Sequence, residues 1–167
     1  MANMSHISTN SPHAWILAAR PKTLTGAAVP VMIGISAAWA DGFFRPVPAL
    51  LCFLFAFLMQ IDANFINDYY DFRKGLDDEK RLGPKRACAE GWITLPAMRR
   101  GIVCTTLLSC LTGLPLVWYG GWTMVFVGVC CVVFCFLYTT CMARLGLGDL
   151  LVLVFFGLLP VGATYYL

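Results

Sequence analysis

The amino-acid sequence predicts an all-α membrane protein, a bundle of about five transmembrane helices, and three observations carry that reading. Of its 167 residues, 59% are hydrophobic and only 13% are charged, against about 25% charged in soluble domains. A chain this short cannot hide so much apolar surface in its own core. The apolar residues also fall into runs near the roughly 20 residues that a helix needs to cross the hydrocarbon. Finally, these runs lack the two-residue alternation of barrel strands, and a helix satisfies its own backbone in lipid.

Residues 1–14, beginning "MANMSHISTNSPH", read as a polar cytoplasmic N-terminal tail, with His6 and His13 solvated. No basic region comes before Arg20, so the first apolar run is read as a mature membrane helix and not as a secretory signal. Residues 15–167 form the transmembrane domain, with spans at about Leu24–Ala40, Val47–Tyr70, Ala97–Trp118, Trp122–Met142 and Leu147–Leu167. Pro30 and Pro160 lie inside spans, where a membrane helix tolerates them. The eight cysteines sit mostly within spans and form neither a disulfide framework nor a paired CxxC, so they read as packing residues.

Charge placement sets the expected orientation. Arg20 and Lys22 precede the first span, and Arg73, Lys74, Lys80, Arg81, Lys85, Arg86, Arg99 and Arg100 follow the second. With Arg144 after the fourth span, only Arg45 would fall outside if the N-terminus is cytoplasmic, as the positive-inside bias requires. The net charge of +3 is thus a topology signal, and no nucleic-acid partner is implied. Trp39, Trp118, Tyr119 and Trp122 read as interface anchors on the opposite side.

The second span carries the chemistry. At about 100° per residue, Gln60, Asn64, Asn67 and Asp71 form one stripe, with Asp68 beside it. Such a stripe must face protein or water. Amides alone could serve interhelical hydrogen bonds, but Asp68 and Asp71 lie at a helix C-terminus, where the dipole is already negative and a cation is called for. Gly75 breaks the helix and lets Asp77 and Asp78 fold back toward the same mouth. Amide and carboxylate oxygens suit magnesium, which takes few protein ligands and completes its shell with water and phosphate. Lys80, Arg81, Lys85 and Arg86 follow at once, and such side chains clamp phosphate oxygens. Together these features suggest a diphosphate carrying a lipid tail.

The segment "NDYYD" at Asn67–Asp71, followed by "FRKGLD" and "RLGPKRA", resembles the first aspartate-rich motif and loop of the UbiA-type intramembrane prenyltransferases. "RPKTL" and "PVMIG" between residues 20 and 34, and "GLGDL" with "FFG" between 146 and 157, are similar to the branch of that superfamily that makes menaquinone. The resemblance implies magnesium held by Asn67, Asp71 and Asp77, with Asp68 a neighbour. It implies diphosphate held by Arg81, Lys85 and Arg86 with help from Lys74. Ionisation of the allylic C–O bond of a polyprenyl diphosphate would then yield a cation attacked by 1,4-dihydroxy-2-naphthoate. Tyr69 or Tyr70 would shield that cation, or else anchor the helix at the interface. Asn64 and Gln60 would position the acceptor or support Asn67. Asp149 would join the active site or simply favour a helix N-terminus.

The expected location is the cell inner (plasma) membrane, with the lipid bilayer as solvent. Relatives in this family continue through further helices with a second aspartate-rich motif, so the resemblance implies the N-terminal half of the fold. A lone chain is accordingly expected to be an incomplete catalyst that pairs with a missing C-terminal half. Two other readings stand beside it: a transferase for another acceptor such as 4-hydroxybenzoate, and a non-catalytic protein that binds prenyl diphosphate. Two features depart from the family pattern. Asp62 places an acid within a span, which needs a partner or a proton, and "TTCMARLG" lacks a proline-containing link.

Overall fold

The computed structural model describes residues 7–75, 85–140 and 148–167, with side chains except those of 139–140 and 148–149. The described residues form helices and connections, with no strand among them. Helix α1 (Pro12–Ala19) starts at Ser11, whose hydroxyl accepts from the Ala14 amide at 3.2 Å, with Pro12 in the first turn where its missing N–H costs nothing. It ends at Arg20, which adopts a left-handed φ of 52°. A single tight turn at Pro21–Thr23 leads into α2 (Leu24–Ala40), which carries Pro30 within it.

Helix α3 (Pro46–Arg73) is 28 residues long, or about 42 Å at 1.5 Å per residue. The hydrocarbon is only about 30 Å thick, so α3 must either tilt strongly or extend beyond it. After the connection that includes residues 85–94 come α4 (Leu95–Gly113), α5 (Leu116–Gly120) and α6 (Trp122–Thr140). The last segment begins as α7 (Gly148–Val152), widens into a π-helical stretch at Leu153–Leu158 and finishes as α8 (Leu159–Tyr166).

All five apolar runs are therefore helical among the described residues. Pro12–Ala40, Pro46–Arg73 and Leu95–Gly120 are long and apolar enough to cross a membrane, whereas Trp122–Tyr138 and Leu150–Tyr166 are shorter apolar helices. The first of these stretches takes in α1, so helix begins ahead of the residue-14 boundary expected from composition. Residues before it are docked as well. The Asn10 amide nitrogen donates to the Trp92 carbonyl at 2.8 Å, and the Asn10 side-chain oxygen accepts from the Thr94 amide at 3.1 Å.

Helix α3 is central, packing against α1, α2, α4, α5, α6 and α8. A buried cluster at its Asp71 end joins Ala14 and Ala18 of α1, Phe65 and Ile66 of α3, Ala87, Cys88 and Ile93 of the connection, and Met98 and Ile102 of α4. Glycines permit close approaches, two of them between helices that frame the bundle. A Cβ at Gly101 would lie 2.6 Å from the Trp15 ring, which also stacks edge-on to Phe65 at 5.3 Å. A Cβ at Gly34 would lie 2.7 Å from the Val161 carbonyl, so α2 and α8 meet nearly backbone to backbone.

Asp62, which the sequence reading took as a departure from the family, is fully buried yet supplied with donors. Thr105 donates to one carboxylate oxygen, and Thr106 donates to the other at 2.8 Å. The pair of adjacent threonines on α4 is the partner this acid required. Replacing both with valine should leave the carboxyl unanswered and cost about 3 kcal/mol, lowering the thermal midpoint in detergent. Adding Asp62→Leu to that double variant should restore most of the loss. A double variant that melts like the parent would show that the threonines do not hold Asp62.

Candidate active site

The polar stripe of α3 faces the junction between α1 and α2. The Asn64 amide donates to the Ala19 carbonyl at 2.9 Å and to the Thr23 hydroxyl oxygen at 2.9 Å, while the Gln60 amide reaches the same oxygen at 3.4 Å. Thr23 in turn donates to the Arg20 carbonyl at 2.9 Å. The left-handed turn at Arg20 is thereby fastened to α3, and the "RPKTL" segment is held in place by two of the four stripe residues. Both amide hydrogens of Asn64 are spent on this packing, so its carbonyl oxygen is what it can still offer a ligand. The observed amide bonds hold the junction between α1 and α2.

Asp68 is fully buried on the adjoining face of α3. Its carboxylate accepts from the Ala87 amide at 2.7 Å and the Cys88 amide at 2.9 Å. These amides open a single helical turn in which the Glu90 amide donates to the Arg86 carbonyl at 2.9 Å. One carboxylate thus fixes the backbone beside Arg86, whose guanidinium is ion-paired with Asp71. The Arg86 side chain is 7% exposed and that of Asp71 21%, so the pair lies at the edge of the protein interior. Lys85 is directed elsewhere: its ammonium binds Glu90 at 3.0 Å and is largely exposed.

A cavity of about 820 Å³ lies among α2, α3, α6 and the α7–α8 segment. Lys22, Thr23, Gln60 and Asn67 are among its polar lining residues, with Thr25, Tyr138 and Thr164, and apolar side chains such as Val31, Met59, Phe134 and Phe155 form most of the wall. Its volume is in the range of small-molecule and cofactor sites, and the few polar groups on an otherwise apolar wall suit an amphiphile.

Tyr70 is placed differently from the sequence expectation. Together with Tyr69 it lines a separate groove between α3 and α4, not the cavity that Asn67 lines, because it lies about 60° around the helix from Asn67. The two rings meet edge-on at 5.2 Å, and the Lys74 ammonium stands 5.9 Å from the Tyr70 centroid. Asp77 and Arg81 lie outside the described residues. Asp149 falls in α7, and its side chain lies outside them too. Among the described residues no three carboxylate, histidine or cysteine side chains converge on a possible metal position. Asn67 and Asp71 remain as two hard oxygen donors, one helical turn apart.

Sequence reasoning underrated Asp68 and missed Thr23. The "RPKTL" motif held the signal for Thr23, as the first hydroxyl after a proline turn. For Asp68 the signal was weaker, an acid beside an amide stripe whose partners are backbone amides nineteen and twenty residues away.

The UbiA prenyltransferase family matches residues 27–167. The 1,4-dihydroxy-2-naphthoate octaprenyltransferase of Escherichia coli K12 is 38% identical over 173 residues, covering 98% of this chain and 56% of the relative. The protein of the same name from Haemophilus influenzae is 38% identical over 164 residues, covering 92% and 53%. UbiA prenyltransferase domain-containing protein 1 of Danio rerio is 30% identical over 165 residues, covering 89% and 45%. The chain thus spans about half the length of these relatives.

Asp68→Ala should release the Arg86-bearing turn, because each lost bond to a charged acceptor is worth about 2 kcal/mol. Hydrogen exchange at the Ala87 and Cys88 amides should accelerate by about 30-fold, while amides in the middle of α3 keep their protection. Unchanged exchange at those two positions would refute the clamp.

Proposed function

The chain belongs to the UbiA prenyltransferase family, and from that premise we propose that it serves prenyl transfer from a polyprenyl diphosphate to 1,4-dihydroxy-2-naphthoate in menaquinone biosynthesis. One observation carries this reading: Asn67 lines an apolar cavity, and Asp71, one turn along α3, meets Arg86 from the connection. The prenyl tail would lie in the cavity and the diphosphate at its polar end. Binding the tail far from the reacting carbon contributes orientation, and the apolar wall would limit the approach of water to an allylic cation.

Magnesium is part of the proposal. The donor set fits, since Mg²⁺ is commonly held by one or two protein oxygens plus water and substrate phosphate. Asn67 and Asp71 would hold it, with Asp77 as a third donor. When bound, the ion would neutralise charge that builds on the departing diphosphate. Arg86 would contact the same phosphate oxygens with its guanidinium, and Asp68 would keep its backbone in place.

Membranes containing the chain together with the remaining half of the Escherichia coli relative should form the prenylated naphthoate. Asp71→Asn or a chelator should reduce it by about 100-fold, the usual scale for removing a transition-state contact, and the chain alone should yield little. Product indifferent to Asp71 would overturn the site, and diphosphate binding without product in any arrangement would favour the non-catalytic reading.

The apolar helices make this a multi-pass membrane protein, and we place it in the inner membrane with its N-terminus cytoplasmic. The distribution of arginine and lysine supports that orientation. A cysteine at exposed Ala89, with the native cysteines replaced, should react with an impermeant maleimide only after the cytoplasmic face is opened. Labelling of intact cells would reverse the topology.

A further inference from the structure

The groove between α3 and α4 that Tyr70 joins has a composition of its own, and the geometry points to a binding site for an anionic phospholipid. It is an open groove of about 470 Å³. Its charged end is formed by Arg73 at the last turn of α3 and Arg99 near the first turn of α4. Arg73 is held in place over the Tyr69 ring, 5.6 Å from the centroid, with Nη1 3.5 Å from the tyrosine oxygen. No carboxylate is among the residues that line the groove, and among the described residues neither arginine has an acidic partner. A two-arginine fork beside tyrosine hydroxyls matches a phosphodiester in geometry and charge.

The rest of the groove settles the class of anion. Thr106 and Phe136 form part of its wall, and Val103 and Leu107 are each more than half exposed on α4. Leu111, one turn further along that face, is 63% exposed. An apolar track leads away from the arginines along a helix long enough to span the bilayer, as an acyl chain would lie. Basic pockets between membrane helices, with tyrosines at headgroup level, are where anionic headgroups bind. The groove is separate from the cavity proposed for the prenyl donor, so an occupant here would be a resident lipid and not a substrate.

Native mass spectrometry of the full chain, released from a neutral detergent with phosphatidylglycerol and phosphatidylcholine of identical acyl chains, tests this directly. Each arginine near an anionic headgroup is worth about fivefold in affinity, so phosphatidylglycerol should be retained about 25-fold over phosphatidylcholine. Arg73→Gln with Arg99→Gln should abolish the preference, Arg99→Gln alone should lower it about fivefold, and Arg45→Gln should leave it intact. If the double glutamine variant fails to fold, Arg99→Gln alone and the preserved preference of Arg73→Lys with Arg99→Lys decide the matter. Equal retention of the two lipids would overturn the site. Displacement of the lipid by millimolar inorganic phosphate would make it a free-anion site, and displacement by the remaining half of the Escherichia coli relative would make it a protein interface. Either result rejects a resident lipid.

Discussion

A polar side chain on a helix inside lipid has no water to turn to, and α3 carries six of them between Gln60 and Asp71. Each must find a donor or acceptor in a neighbouring element. Asp62 finds two threonines on α4, Asn64 and Gln60 find the turn between α1 and α2, and Asp68 finds the amides of Ala87 and Cys88. Apolar faces cannot make such choices, because a lipid tail is as good a neighbour for leucine as another leucine is. The polar residues of one helix therefore decide which elements pack around it and in what register. Shape then finishes what the hydrogen bonds begin, through close approaches such as Trp15 over Gly101 and α8 against Gly34.

The same rule separates what was legible in the sequence from what was not. Length and hydropathy locate the apolar runs, because crossing lipid is a demand on one segment at a time. Helical periodicity also groups Gln60, Asn64, Asn67 and Asp71 on one side, since that is a property of α3 alone. What it cannot give is the identity of the neighbour. The threonines that receive Asp62 lie more than forty residues away, so the acid looked like an unpaid charge until α4 was in place. Asn10 looked like part of a polar tail because its partners, Trp92 and Thr94, lie more than eighty residues on. Tyr70 follows the same angular rule: an offset of about 60° from Asn67 is enough to put its ring in a different groove from the cavity. The π-helical stretch at Leu153–Leu158 left no signal in the pattern of apolar residues, which are apolar throughout.

Asp68 and Asp71 are the same residue type one turn apart, and burial divides their work. Asp68, with no exposed surface, holds backbone amides, which are fixed donors that do not leave. Asp71, at the edge, holds a side chain, which can. A guanidinium as buried as that of Arg86 would be costly without a carboxylate beside it, so the pair keeps the unliganded site stable. On the proposed reading, a magnesium diphosphate offers both members a replacement of the same sign. Asp71 would exchange a cation for a metal ion, and Arg86 would exchange a carboxylate for phosphate oxygens. Neither charge would be left bare during the exchange, and the backbone under Arg86, tied down by Asp68, would not have to move. Selectivity follows from the same balance. A ligand bringing only the anion, or only the metal, would separate the pair and satisfy one half of it, whereas the two together satisfy both.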